Sequence, residues 1–237
     1  MESYNTDNYG ARSKGVVRTT SLLRNAYLWM ALALAMTGVV AWFTASSEQI
    51  LRSIYSNAFV LFLVVMLQFG LVVYLSARIQ RMSTGTAVFC FISYSIVTGL
   101  TFASIFYVYT GAVIAKAFFS ACLMFAGAGL FALVTKVNLA RWQHILGMGL
   151  WGLLIAMLVN MFLGSDTLDY VISVAGVILF CGLTAWDTRR IVQLGDGAQS
   201  DEDSFIKLSI LAALTLYLDF INMFLFLLRL YGRGNRN

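Results

Sequence analysis

Two aspartates stand where a bilayer-spanning chain should have apolar residues. Asp219 lies in LTLYLDFINMFLFLL with at least ten largely apolar residues on either side, and Asp187 lies in ILFCGLTAWDTRRI, with Arg189 and Arg190 close behind it. A charged side chain near the bilayer centre costs about 2.5 to 3.5 kcal/mol even on the lenient insertion scale, so each acid needs a partner or a task. Asp219 is too deep to snorkel to water. If its helix starts near Lys207 it sits roughly 18 Å in, and Asp187 lies roughly 10 Å from a helix end near Leu194, at 1.5 Å rise per residue. Those depths overlap enough for contact. Two carboxylates brought together in a low dielectric cannot both ionise cheaply and share one proton, which makes the pair responsive to pH. The same oxygens can hold a hard cation such as Ca²⁺. A plainer arrangement remains open, in which Asp187 pairs with Arg190 at i+3 and Asp219 bonds Thr215 or Asn222 on its own helix.

Few other polar groups share these surroundings. Asn222, three residues after Asp219, points the same way from its helix, and Asn160 is a second intramembrane amide; both are supporting polar residues suited to interhelical hydrogen bonds. In YLSARIQRMSTG, Arg78 lies within the last turn, placed to neutralise Asp187 in one state and release it in another, and Arg81 follows one turn later. An ordinary positively charged loop is the alternative for both arginines. His144, the single histidine, is expected to be interfacial and inert. Cys90, Cys122 and Cys181 lie in apolar runs without CxxC or CxxH spacing and read as packing residues rather than metal, haem or disulfide sites. No cofactor is implied.

The elements that must position these groups are membrane helices. Of 237 residues 60% are hydrophobic and 11% charged, against about 25% charged in an average soluble domain, too few to dress a water-soluble surface. The net charge of +5 is scattered between apolar runs, which excludes a nucleic-acid footprint. Runs of about 20 apolar residues predict seven spans: Leu22–Thr44, Asn57–Ala77, Thr86–Tyr109, Ala112–Thr135, Ile145–Leu163, Leu168–Trp186 and Phe205–Leu228. Residues 1–21 read as a disordered cytoplasmic tail, 22–230 as one transmembrane domain and 231–237 as a short basic tail. The first run is too long and too far from the start to be a cleaved signal peptide. With the N-terminus inside, eleven Lys and Arg fall on the cytoplasmic side and five on the other, Arg52, Lys116, Arg229, Arg233 and Arg236. Three of those five lie near the C-terminus, so a six-span or re-entrant arrangement is the competing topology.

LTAWDTRRI, followed about thirty residues later by ALTLYLDFINMFLFLLRLYG, resembles the carboxy-terminal signature of the transmembrane Bax inhibitor motif family, the Bax inhibitor-related proteins. LRNAYLWMALALAMTGVVAW, LSARIQRMS, YSIVTGLTFASIFYVYT and LLIAMLVNMFLGS agree with it, so the resemblance covers almost everything after residue 22 and is nearest to the bacterial members. It implies an all-α seven-helix bundle with the last helix central and a pH-sensitive Ca²⁺ leak governed by two aspartates, which map to Asp187 and Asp219. It also implies an arginine latch from the second helix, for which Arg78 is the match and Arg81 the fallback. Some bacterial members are instead known as modulators of a membrane-bound protease.

The expected function is therefore a pH-sensitive calcium leak channel of the bacterial inner membrane, with the lipid bilayer and calcium ions as partners. The runner-up is a non-conducting interaction protein that modulates a membrane-bound protease or a stress response. An enzyme is not expected, because intramembrane aspartyl proteases place the second aspartate in a GxGD context and here Tyr217 and Leu218 precede Asp219.

Overall fold

The computed structural model describes residues 3–135, 137, 139–196 and 201–233, with side chains over 21–135, 137, 139, 141–195 and 201–233. The described chain is all helical. In order it forms α1 (Ser3–Ser46), α2 (Glu48–Tyr55), α3 (Ala58–Arg78), α4 (Thr84–Phe102), α5 (Ile105–Val108), α6 (Gly111–Val134), α7 (Gln143–Leu163), α8 (Asp166–Asp196) and α9 (Glu202–Arg233), with 3₁₀ turns at Ile79–Arg81 and Leu139–Trp142. Seven stretches are long and apolar enough to cross a membrane: Ser21–Ser46, Ala58–Arg81, Thr84–Val108, Gly111–Val134, Gln143–Leu163, Asp166–Gly195 and Glu202–Arg233. The last is the most buried, with 72% of its apolar window inside the protein against 50% or less in the other six. Elsewhere the exposed surface is itself apolar, as at Val134 and Phe162, the pattern of helices solvated by lipid rather than by water.

Local chemistry sets where these helices begin. Asn57 accepts a hydrogen bond from the Phe59 amide at 2.9 Å, Ser83 from that of Thr86 at 3.2 Å and Thr110 from that of Val113 at 3.4 Å, so α3, α4 and α6 each start on a side-chain cap. Asp201 does the same for α9, accepting from both the amide and the hydroxyl of Ser204, and these bonds hold its carboxyl below the usual range. Between α7 and α8 the chain reverses through Gly164, whose φ of 60° is open to glycine at no steric cost; its amide closes back on the Asn160 carbonyl at 2.8 Å.

Two boundaries differ from those expected. The α1 backbone is helical from Ser3, through the segment expected to be a disordered tail, because propagating an existing helix costs far less than nucleating one and no proline interrupts it. The sixth span passes Trp186 and continues to Gly195, with Thr188 and Ile191 buried and Arg190, Gln193 and Leu194 exposed, an amphipathic extension that an apolar-run criterion overlooks. At the other end α9 reaches Arg233, inside the expected basic tail, and residues 234–237 lie outside the described residues.

The chain divides into two compact units. Met1–Val108 with Ile191–Tyr217 forms the first, in which α1 and α3 both pack on α4. Gly99 permits the α1 crossing, since a Cβ there would come within 2.7 Å of the Val40 Cβ and 2.8 Å of the Thr37 carbonyl. The start of α9 is tied to the turn after α3: Lys207 Nζ donates to the Met82 carbonyl at 3.4 Å, and the Thr84 hydroxyl donates to Asp203 at 3.3 Å. Tyr109–Arg190 with Leu218–Asn237 forms the second unit, which contains both intramembrane aspartates.

Candidate functional site: a buried carboxyl pair

In the second unit α8 and α9 are antiparallel neighbours, and their partners run in opposite order along the two helices. Arg233 pairs with Asp166 and Arg229 with Asp169, each at 3.8 Å, and Arg233 also donates to the Asp166 carbonyl. Phe226 then packs on Gly176 and stacks on Phe180 with ring centroids 6.0 Å apart. Asp219 meets Asp187. On the other side of α9, Phe118 and Phe125 of α6 hold Phe220 edge to face at 5.8 and 5.6 Å, which fixes the rotation of the turn that carries Asp219.

Asp187 and Asp219 are each 5% exposed, and their carboxyl groups lie against one another. An ionised carboxylate only accepts, so a hydrogen bond between the two requires that one of them carry a proton. Oδ2 of Asp219 is buried, and no donor among the described residues other than a proton shared with Asp187 reaches it. A buried acceptor left unpaired costs about 1 to 3 kcal/mol, and nothing in the packing of α9 requires this one.

Asp219 does not find its partner in Thr215 or Asn222 of its own helix. Thr215 donates to the Leu211 carbonyl at 3.1 Å and Asn222 to that of Leu218 at 2.8 Å, so both satisfy their own helix rather than Asp219. Arg190 lies over the Trp186 ring at 5.3 Å, close enough to Asp187 to attract its charge. Asn160 serves the helix end, its Oδ1 accepting from the Ser165 amide at 3.1 Å, and is a turn residue rather than a companion of the acids. Arg78 ends α3 and Arg81 ends the 3₁₀ turn after it; both are exposed and belong to the first unit. His144 is exposed at the start of α7. The three cysteines are free thiols, Cys90 buried and Cys122 and Cys181 half-buried.

A second polar cluster has no counterpart in the sequence reading. In the first unit the Thr37 hydroxyl donates to the Ser95 carbonyl at 3.0 Å and lies 2.7 Å from the Tyr217 hydroxyl, and the Tyr94 and Tyr217 rings meet edge to face at 5.6 Å. All four residues are buried. Tyr217 precedes Asp219 by two residues, and an aromatic hydroxyl in mid-span that must find a partner was the signal that could have shown it.

Seven apolar spans, a last helix more buried than the rest and a buried pair of carboxyl groups define a polytopic membrane protein. The family profile described as "Inhibitor of apoptosis-promoting Bax1" matches residues 19–236, and the chain belongs to that Bax inhibitor-1 family. It is 41% identical to the Inner membrane protein YbhL of Escherichia coli K12 over 226 residues, covering 93% of this chain and 97% of the relative. An uncharacterized protein of Borreliella burgdorferi is 37% identical over 217 residues, 90% of this chain and 94% of the relative. A third, RP147 of Rickettsia prowazekii, is 40% identical over 206 residues, 87% and 86% of the two chains.

Proposed function

We propose that this protein is a proton-regulated cation leak, with Ca²⁺ as cargo, acting in a bacterial inner membrane as the name of its Escherichia coli relative suggests. The observation that carries this is the buried contact of Asp187 with Asp219, whose Oδ2 meets no other donor among the described residues. One proton holds the pair together, and losing it leaves two adjoining negative charges that must separate or take up a cation. The pair offers four oxygens where Ca²⁺ takes six to eight, which suits a transient stop on a path better than a resident metal site. Among the described residues no group of three or more His, Cys, Asp or Glu is assembled to hold a metal. Asp187 and Asp219 act as sensor and gate, with no enzymatic role.

Arg78 is the proposed latch and Arg81 the fallback, each competing with the proton for Asp187. The hydrogen bonds from Lys207 and Thr84 support this reading, because they couple the turn after α3 to the helix that carries Asp219. The test is a Ca²⁺ flux assay on the full-length protein in liposomes loaded with a Ca²⁺-sensitive dye. A slow leak that changes with pH is the expected result. No leak at any pH overturns the proposal and leaves a non-conducting partner of a membrane protease as the reading.

The proposed orientation places the N-terminus in the cytoplasm. Arg229 and Arg233 weighed against this in the charge count, yet both are paired with acids on α8, which reduces their weight as free charges. A reporter fused after Asn237 is expected to read non-cytoplasmic and one inserted at Gly197 cytoplasmic. Cytoplasmic readings at both sites would require that α9 does not cross.

A further inference from the structure

We infer that the second unit carries a binding site for one anionic phospholipid, at the end of α8 that bears Arg190. A groove of about 490 Å³ opens there between α6, the Leu139–Trp142 turn, α7 and α8, within the usual range for small-molecule sites. Its walls are apolar: Gly127 and Phe131 from α6, Leu139 and Trp142 from the turn, and Gly182 and Trp186 from α8. Leu139 is buried against Ala132 and Ala185, which makes a solid floor, whereas a side chain at Gly127 would enter open space. Phe131 and Trp142 are exposed, so the groove faces the surroundings of the protein, and those surroundings are acyl chains.

Charge at the rim identifies the occupant. Trp142 and Trp186 are the amphipathic residues that settle at the headgroup level of a bilayer. Each has an arginine beside it: Arg190 lies over the Trp186 ring, and Arg141 is exposed and directly precedes Trp142. Both guanidinium groups offer several donors to a phosphate. The acids of the second unit oppose this little, since Asp187 and Asp219 are buried and Asp166 and Asp169 lie at the far end of α8, roughly 32 to 36 Å from Arg190 at the helical rise. An acyl chain fills the groove while the headgroup phosphate meets Arg141 and Arg190. Retention of a lipid is read here without any flux measurement, so the assignment stands or falls apart from the proposed leak.

The experiment is native mass spectrometry of the full-length protein with equimolar phosphatidylglycerol and phosphatidylcholine of identical acyl chains. The protein is expected to retain phosphatidylglycerol preferentially, with Arg141→Gln/Arg190→Gln lowering that preference by roughly fivefold per arginine. Gly127→Phe leaves both arginines in place and fills the groove, so retention of phosphatidylglycerol falls while the protein stays folded by circular dichroism. Equal retention of the two lipids by the unaltered chain overturns the assignment, as does a preference that survives the double arginine variant. A dimer peak that Gly127→Phe abolishes also overturns it, by giving the groove to a second copy of this chain.

Discussion

Asp219→Asn is expected to flatten the pH dependence of the Ca²⁺ leak while leaving the protein folded and inserted. The asparagine keeps the shape of the side chain and can donate to Asp187 without a shared proton, so the pair loses its titratable step. One shared proton limits the response of the unaltered protein to about tenfold per pH unit. In Asp219→Asn, and equally in Asp187→Asn, the leak should vary by less than about twofold over the same interval by that limit. Arg78→Ala should act differently, raising the basal leak while the intact pair still responds to pH. The measurement is initial Ca²⁺ flux in liposomes from pH 5.5 to 8.5, with insertion verified for each variant. Unchanged profiles in both asparagine variants would remove the acid pair from the mechanism.

Gly176→Ala should destabilise the second unit by about 1 to 3 kcal/mol, the usual cost of overpacking a filled interior. A Cβ at this position would lie 2.6 Å from Cδ2 of Phe226, closer than van der Waals contact permits, and the ring is also held by its stack on Phe180, one turn along α8. The ring sits between the ion pairs at one end of α8 and α9 and the carboxyl pair, so displacing it disturbs the register that joins the acids. Phe226→Leu in the same chain should recover part of the loss, because the two positions touch and their effects are not additive. Gly152→Ala is the control: a Cβ there meets nothing within 4 Å, and the change should be neutral or slightly stabilising. Unfolding midpoints of the four proteins provide the comparison. Equal stability of Gly176→Ala and Gly152→Ala would show that α8 and α9 do not approach this closely.

The spans were legible because the bilayer imposes a one-dimensional rule. Each crossing needs about 20 apolar residues with its backbone bonds satisfied internally, and that property survives in a linear string. Four of the seven spans begin and end within about three residues of their expected limits, the exceptions being Ala58–Arg81, which runs four residues further, Glu202–Arg233, which runs five further, and Asp166–Gly195. The sixth span ran long because Thr188 to Gly195 is held by one buried face rather than by overall hydropathy. Asp187 and Asp219 were legible for the converse reason: a carboxylate in such a run is costly enough to be conspicuous.

Partners were not legible in that way. Sequence arithmetic made Asp187 and Asp219 overlap in depth, but which face each helix turned to the other was decided by the Gly176–Phe226 contact and by Phe118 and Phe125 around Phe220. Asn160 illustrates the limit. Its place in an apolar run suggested an interhelical bond, and tertiary structure gave its amide to the turn at Gly164 and Ser165 instead. The pairing of Arg229 and Arg233 with Asp169 and Asp166, which weakens the strongest argument against seven crossings, joins residues about sixty positions apart. The sequence by itself therefore determined the class of protein, the number of candidate spans and the two acids that need an explanation, because each depends on the cost of placing a residue in lipid. Only the tertiary structure decided that those acids meet and that Oδ2 of Asp219 finds no other donor among the described residues, because each depends on which faces of two helices meet.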